Sequence, residues 1–155
     1  ALAAEGLSGD DEERAVLVAY ELEGTLSPDG LVSRGVCELE GGHLVGLVET
    51  HGIRKVGGQI HAEDPPGRLD PVTPVSMNLW GLPRRVLDQL DRQWSDFHSA
   101  NSDDKDIEFL LPEAIEQQRA RGLVIVDVVR SGESWMGITN PEDLAVARRA
   151  FAGGL

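Results

Sequence analysis

Apolar residues in this chain come as short unbroken runs separated by clusters of Gly, Pro, Asp and Ser. Ala15-Val16-Leu17-Val18-Ala19-Tyr20 is such a run, and it predicts a central strand buried on both faces. Gly24-Thr25-Leu26-Ser27-Pro28-Asp29-Gly30 follows. Its Ser-Pro-Asp-Gly puts Pro where φ is preset and Gly where φ can turn positive, so a turn is expected. Val32 to Glu40 and His43 to Thr50 flank Gly41-Gly42, a two-residue signal for a tight hairpin. Gln59 to Ala62 predicts another short strand inside a Gly- and Pro-rich excursion ending near Pro74, and Val75 to Trp80 resumes strand character. Together these strands imply a sizeable sheet.

From Pro83 the period changes. Val86, Leu87, Leu90, Trp94 and Phe97 fall close to the spacing of one helical face, read as a core face, with Pro83 suited to the first turn. A second helix is expected from Pro112 to Gly122. Leu123 to Val129 carries the strongest buried-strand signal in the chain, and Ser134 to Ile138 are suited to pair with it. A last helix takes Asn140 as N-cap and Pro141 at its first position, with two acids in its first turn and Leu144, Ala147 and Phe151 facing its core. Strands and helices mixed in this way predict an α/β sandwich with an antiparallel addition. No repeat and no long linker divides the chain, so residues 1–155 are read as belonging to one domain.

Charge narrows the function. With 27 acids against 14 Lys and Arg, the net charge of −13 argues against nucleic acid or an anionic membrane as partner, because phosphate backbones demand clustered positive charge. It also leaves a phosphate-binding enzyme short of cations. One cysteine, Cys37, excludes an intramolecular disulfide, and no apolar run approaches the roughly 20 residues of a membrane helix, so a reducing cytoplasm is the expected compartment. Ala1-Leu2-Ala3-Ala4-Glu5 lacks the basic flank of a signal peptide and reads as the tail of a helix begun earlier.

Several chemistries find no support. The chain has neither a Gly-x-x-x-x-Gly-Lys-Ser/Thr loop nor a Gly-x-Gly-x-x-Gly turn for phosphates. His43, His51, His61 and His98 lack the spacing of zinc ligands and suit surface or supporting roles. Cys37 reads as a small buried hydrophobe, and no serine sits in a nucleophile elbow. What remains is polarity where strands should end: Ser33-Arg34-Gly35, Glu49-Thr50-His51, Ser76 and Asn78. A carboxylate accepting from vicinal hydroxyls, an Asn that donates and accepts, and a Gly allowing close backbone approach suit a sugar. Edge-strand polarity and turn geometry explain the same residues, and periodicity does not decide between the two.

Five ordered segments carry a resemblance: Val32-Ser33-Arg34-Gly35-Val36-Cys37-Glu38, Val48-Glu49, Thr73 to Gly81 with its Val75-Ser76-Met77-Asn78, Glu108-Phe109-Leu110-Leu111-Pro112, and Trp135-Met136-Gly137-Ile138-Thr139. In this order they resemble the carboxy-terminal half of bacterial nucleotide-sugar pyrophosphorylases, the branch described as glucose-1-phosphate uridylyltransferase-like. The resemblance implies a Rossmann-like α/β sandwich with a mixed sheet and helices, and a nucleotidyltransferase. In that reaction a sugar-1-phosphate attacks the α-phosphorus of a nucleoside triphosphate and releases pyrophosphate, with Mg2+ bridging phosphate oxygens.

Residue by residue, the resemblance implies that Gly35 lies against the sugar, Glu49 accepts from its hydroxyls, and Ser76 and Asn78 line its pocket. Relatives often follow this Glu with Lys or Arg; here Thr50 and His51 follow, leaving Arg34, Arg54 or Lys55 as phosphate-binding cations. A second magnesium ligand falls on Thr139, with Asn140 or Asp143 as substitutes, although a helix cap accounts for Asn140 and Asp143 without metal. The glycine-rich triphosphate loop and the first metal-binding aspartate of such enzymes would precede residue 1, so an amino-terminal nucleotide-binding half is an expected partner. A non-catalytic sugar-phosphate-binding or regulatory module is the alternative.

Overall fold

A computed structural model describes residues 13–27, 30–104, 107–133, 135–137 and 143–152. The elements run β1 (Glu13–Glu21), a 3-10 turn (Leu22–Thr25), β2 (Val32–Glu40), β3 (His43–Val56), β4 (Gln59–Glu63), β5 (Pro66–Leu69), β6 (Pro74–Gly81), α1 (Arg84–Ala100), α2 (Leu111–Ala120), β7 (Val124–Arg130) and α3 (Asp143–Ala152). The strands pair in the order β2-β6-β1-β7-β3-β4-β5, and an additional β2–β3 pairing closes the first five into a β-barrel.

This overturns the Rossmann-like α/β sandwich. Among the described residues seven strands stand against three α-helices, so helices are too few to cover both faces of a large sheet. The pairs β2–β6, β3–β4, β3–β7 and β4–β5 are all antiparallel, whereas a Rossmann-like frame needs parallel strands joined by helical crossovers. Glycine turns explain the difference locally. Gly41 and Gly42 have φ of 59° and 89°, and Gly57 and Gly58 have 59° and 82°. Positive φ at both central residues gives the turn whose twist matches a hairpin, so β2–β3 and β3–β4 fold back directly.

Two compact units result, each with its own core. The first holds the described residues up to Val18, together with Cys37–Leu47 and Asn78–Val129. Its core gathers Ala15, Leu17, Cys37, Leu44, Val86, Ile115, Val124 and Val126. Helices α1 and α2 pack on each other here. Pro83 stands one residue before α1, Pro112 opens α2, and Gly122 with φ 70° follows it. The Trp94 stripe is not a core face throughout: Val86 is buried, but Leu87 and Trp94 are about half exposed. Trp94 instead joins Phe97, His98 and Phe109 in an aromatic group.

The second unit holds Ala19–Val36, Val48–Met77 and the described residues from Arg130 onward. Its core is Leu22, Ile53, Ile60, Ala62 and Val75, with Leu26, Val32, Val36 and Leu69 packed against it. Two strands are less buried than their sequences predict. In β1 Ala15, Leu17 and Ala19 are buried while the alternating Val16, Val18 and Tyr20 are only half-buried, and in β7 burial is lost after Val126. The expected strand at Ser134–Ile138 does not form at Trp135–Gly137, and Ser134 and Ile138 lie outside the described residues, as do Pro28 and Asp29 of the predicted turn. The expected cap at Asn140-Pro141 also lies outside them; in α3 Ala147 is buried but Leu144 is exposed. Among the described residues no helix is long and apolar enough to cross a membrane.

Candidate functional site

Four of the expected site residues gather in the second unit. The β2–β3 hairpin brings Ser33-Arg34 level with Glu49-Thr50-His51: Ser33 Oγ and His51 Nδ1 share a 2.9 Å hydrogen bond, and Arg34 feels the charge of Glu49. On its other side β2 pairs antiparallel with β6, setting Gly35 opposite Ser76. Both are buried, on the face of β2 opposite to Arg34.

Arg34 is anchored at several points. Its Nε donates to Thr25 Oγ1 at 3.1 Å, one Nη donates to the Thr25 carbonyl, and the other donates to the Ser33 carbonyl at 2.7 Å. Thr25 is itself buried, and its hydroxyl donates to the Leu22 carbonyl at 2.9 Å, which locks the 3-10 turn. The guanidinium also lies 5.3 Å from the centre of the Trp135 ring, a cation–π distance. Gly137 makes room for that indole, because a Cβ there would run into the ring.

Burial holds the Arg34 pKa below its ordinary value, and the nearby Glu49 carboxylate opposes that shift. The three hydrogen bonds end on neutral oxygens and use three of the guanidinium's five N–H donors. They fix the charge in place without cancelling it. Chemically the group offers an oriented cation, a half-buried carboxylate acceptor and a hydroxyl–imidazole pair within one strand layer.

Asn78 does not join them. It belongs to the first unit, is exposed, and accepts a 3.4 Å hydrogen bond from Trp80 Nε1. Its φ of 59° breaks the alternation that would have put it on the Ser76 side, and Asn is among the few residues that tolerate this conformation. The expected magnesium ligands Thr139 and Asn140 lie outside the described residues, as does the Asp143 side chain. Among the described residues no three His, Cys, Asp or Glu gather closely enough to hold a metal ion.

Thr25 and Trp135 were not anticipated as partners of Arg34. Thr25 sits in a segment that reads only as a turn, and Trp135 comes from a residue about one hundred positions away in sequence, which no local pattern links to β2. In the first unit a separate polar clamp spans three adjacent strands. Arg14 makes two 3.0 Å hydrogen bonds to the Asp127 carboxylate, and His43 Nδ1 lies 2.7 Å from Asp127 Oδ1, with His43 directly opposite Asp127 in the β3–β7 register. Compared with known proteins, the chain matches no protein-family model and no curated protein.

Proposed function

We propose that this chain supplies the sugar-phosphate side of a nucleotidyltransferase reaction, in which a nucleoside monophosphate passes from a nucleoside triphosphate to a sugar-1-phosphate with release of pyrophosphate. The observation that carries the reading is the Arg34 guanidinium anchored on Thr25 with the Glu49 carboxylate near it. It rests on these side chains and their chemistry, and it requires no Rossmann-like frame.

In this reading Glu49 accepts hydrogen bonds from two sugar hydroxyls, and the Arg34 guanidinium faces negative charge with its remaining donors. The reacting oxygen belongs to the sugar's own phosphate, so the chain needs no nucleophile, and its contribution is orientation. Neither standard glycine-rich phosphate loop occurs in the sequence, so the triphosphate is assigned to another part of the working enzyme.

Calorimetric titration with glucose-1-phosphate and with UTP tests this. The chain should bind the sugar phosphate, and Glu49→Gln should weaken that binding by about 1–3 kcal/mol, the scale of lost hydrogen bonds to a charged acceptor. Tight UTP binding to the chain, or an unchanged affinity in Glu49→Gln, would overturn the assignment.

A further inference from the structure

The β3–β4–β5 sheet carries a row of three basic side chains that the strand register sets next to one another. Arg54 on β3 stands directly opposite His61 on β4, and His61 stands directly opposite Arg68 on β5. Residues opposite one another across a ladder point to the same face. That face is the solvent side, because His61 lies between Ile60 and Ala62, which are buried in the core of the second unit. All three residues are exposed, and all three belong to that unit. β5 ends the strand order, so the row is open at one end.

Stability does not account for the arrangement. Cations side by side on a sheet repel, and a chain with 27 acids against 14 Lys and Arg has carboxylates to spare for alternating with them. Arg54 meets one carboxylate, Glu63 at 3.4 Å, and both side chains are half exposed, so that pair is weak and open to exchange. Among the described residues neither His61 nor Arg68 has an ion-pair partner. Asp70, two residues after Arg68, is engaged in its own turn, where its carboxylate accepts from the Val72 N–H at 3.0 Å.

The spacing indicates what fits. Strands about 4.8 Å apart put Arg54 and Arg68 about 10 Å apart across His61. An extended peptide rises about 3.3 Å per residue, so carboxylates at positions i and i+3 are also about 10 Å apart. Each guanidinium can meet a carboxylate with two parallel N–H donors, and the imidazole between them can bond to the backbone of a crossing segment. Val56, two residues beyond Arg54 on β3, shares the face and is half exposed, which adds an apolar contact beside the row.

We propose that the row of Arg54, His61 and Arg68 is a docking surface for an acidic polypeptide segment bound in extended form. The proposal is independent of the sugar-phosphate reading, which rests on Arg34 and Glu49. A fluorescently labelled peptide, Glu-Ser-Ser-Glu-Ser-Ser-Glu, tests it by anisotropy at low ionic strength against a counterpart with Gln in place of each Glu. The proteins compared are wild type, Arg54→Gln, Arg68→Gln and Arg92→Gln, the last replacing an exposed cation on α1 away from the row. A thermal melt checks that each variant is folded.

Wild type should bind the acidic peptide about tenfold more tightly than the Gln peptide, and added salt should weaken that binding. Arg54→Gln and Arg68→Gln should each lose about threefold, the scale of an exposed ion pair, and Arg92→Gln should match wild type. Equal binding of the two peptides, or an unchanged affinity in Arg68→Gln, overturns the proposal. A labelled oligonucleotide of equal charge that binds more tightly than the peptide, with the same loss in Arg68→Gln, assigns the row to a phosphodiester chain and overturns it too. Self-association of wild type in sedimentation, abolished in Arg68→Gln, makes a second copy of this chain the occupant in place of a separate acidic partner.

Discussion

Replacing Arg34 separates an anchored guanidinium from a surface one. In Arg34→Met the apolar stem is roughly kept, but Thr25 loses two donors, one to its hydroxyl oxygen and one to its carbonyl. Thr25 is 1% exposed, so water cannot readily replace them. A buried acceptor left unmet costs about 1–3 kcal/mol, which gives about 2–6 kcal/mol for the pair. The Ser33 carbonyl lies at an exposed residue and recovers a water, adding nothing. Two effects lower the total. Removing the guanidinium ends its own desolvation, which is the larger cause of its depressed pKa, and its half-exposed position lets solvent follow it in. A net loss of about 2–3 kcal/mol is expected.

At roughly 2–4 °C per kcal/mol for a chain of this size, the melting temperature should fall by roughly 5–10 °C. Arg34→Lys should lose about half as much, since one ammonium on a flexible stem can meet one Thr25 oxygen but lacks the fork that meets both. Urea unfolding of the three proteins at pH 7 measures the series. Arg34→Met within about 0.5 kcal/mol of wild type, the usual range for a surface substitution, would refute the anchoring described here.

Two further predictions concern the strands of the two units. Gly52 has φ 64°, and a Cβ there would sit 2.7 Å from the Glu63 Cβ, an atom too close to the backbone to swing away. Gly52→Ala should therefore cost clearly more than the about 1–2 kcal/mol of left-handed strain, while Gly57→Ala, at φ 59° with nothing within 4 Å, should show that strain alone; urea midpoints of the two compare them directly. Asp127→Asn loosens the clamp to Arg14 and His43, but both partners are nearly half exposed, so about 1 kcal/mol or less should be lost, and the loss should shrink in 1 M salt.

Local elements were legible in the sequence because local chemistry fixes them. Gly41-Gly42 announces a hairpin whose turn residues both adopt positive φ, and Pro112 with Gly122 bounds α2 to within a residue or two. The hairpin carries half the site with it, since Ser33-Arg34 and Glu49-His51 are on its two strands. Pairing order was not legible. Whether β7 inserts between β1 and β3 depends on which sheet edge a late strand reaches, and an apolar run such as Val124-Ile125-Val126 is the same run in either arrangement. The conformation of Asn78 was not legible either: the resemblance that sets it beside Ser76 says nothing of its positive φ.

Charge is where the chain's composition and its site meet. Arg14, Lys55, Arg54, Arg85 and Arg119 each contact a carboxylate, and the bond to Glu116 raises the Arg119 pKa. In a chain this acidic, such pairing is the expected fate of a cation. Arg34 differs because its side-chain hydrogen bonds go to carbonyl and hydroxyl oxygens, while Glu49 acts on it through space. An anion arriving at Arg34 displaces no carboxylate, whereas one arriving at Arg54 and Lys55 must compete with Glu63 and Glu23. The Arg34 charge is thus already partly desolvated and oriented, whereas those of Arg54 and Lys55 stand in two weak, half-exposed pairs. The same difference makes salt the discriminating variable, since half-exposed pairs are screened far more readily than a partly buried guanidinium.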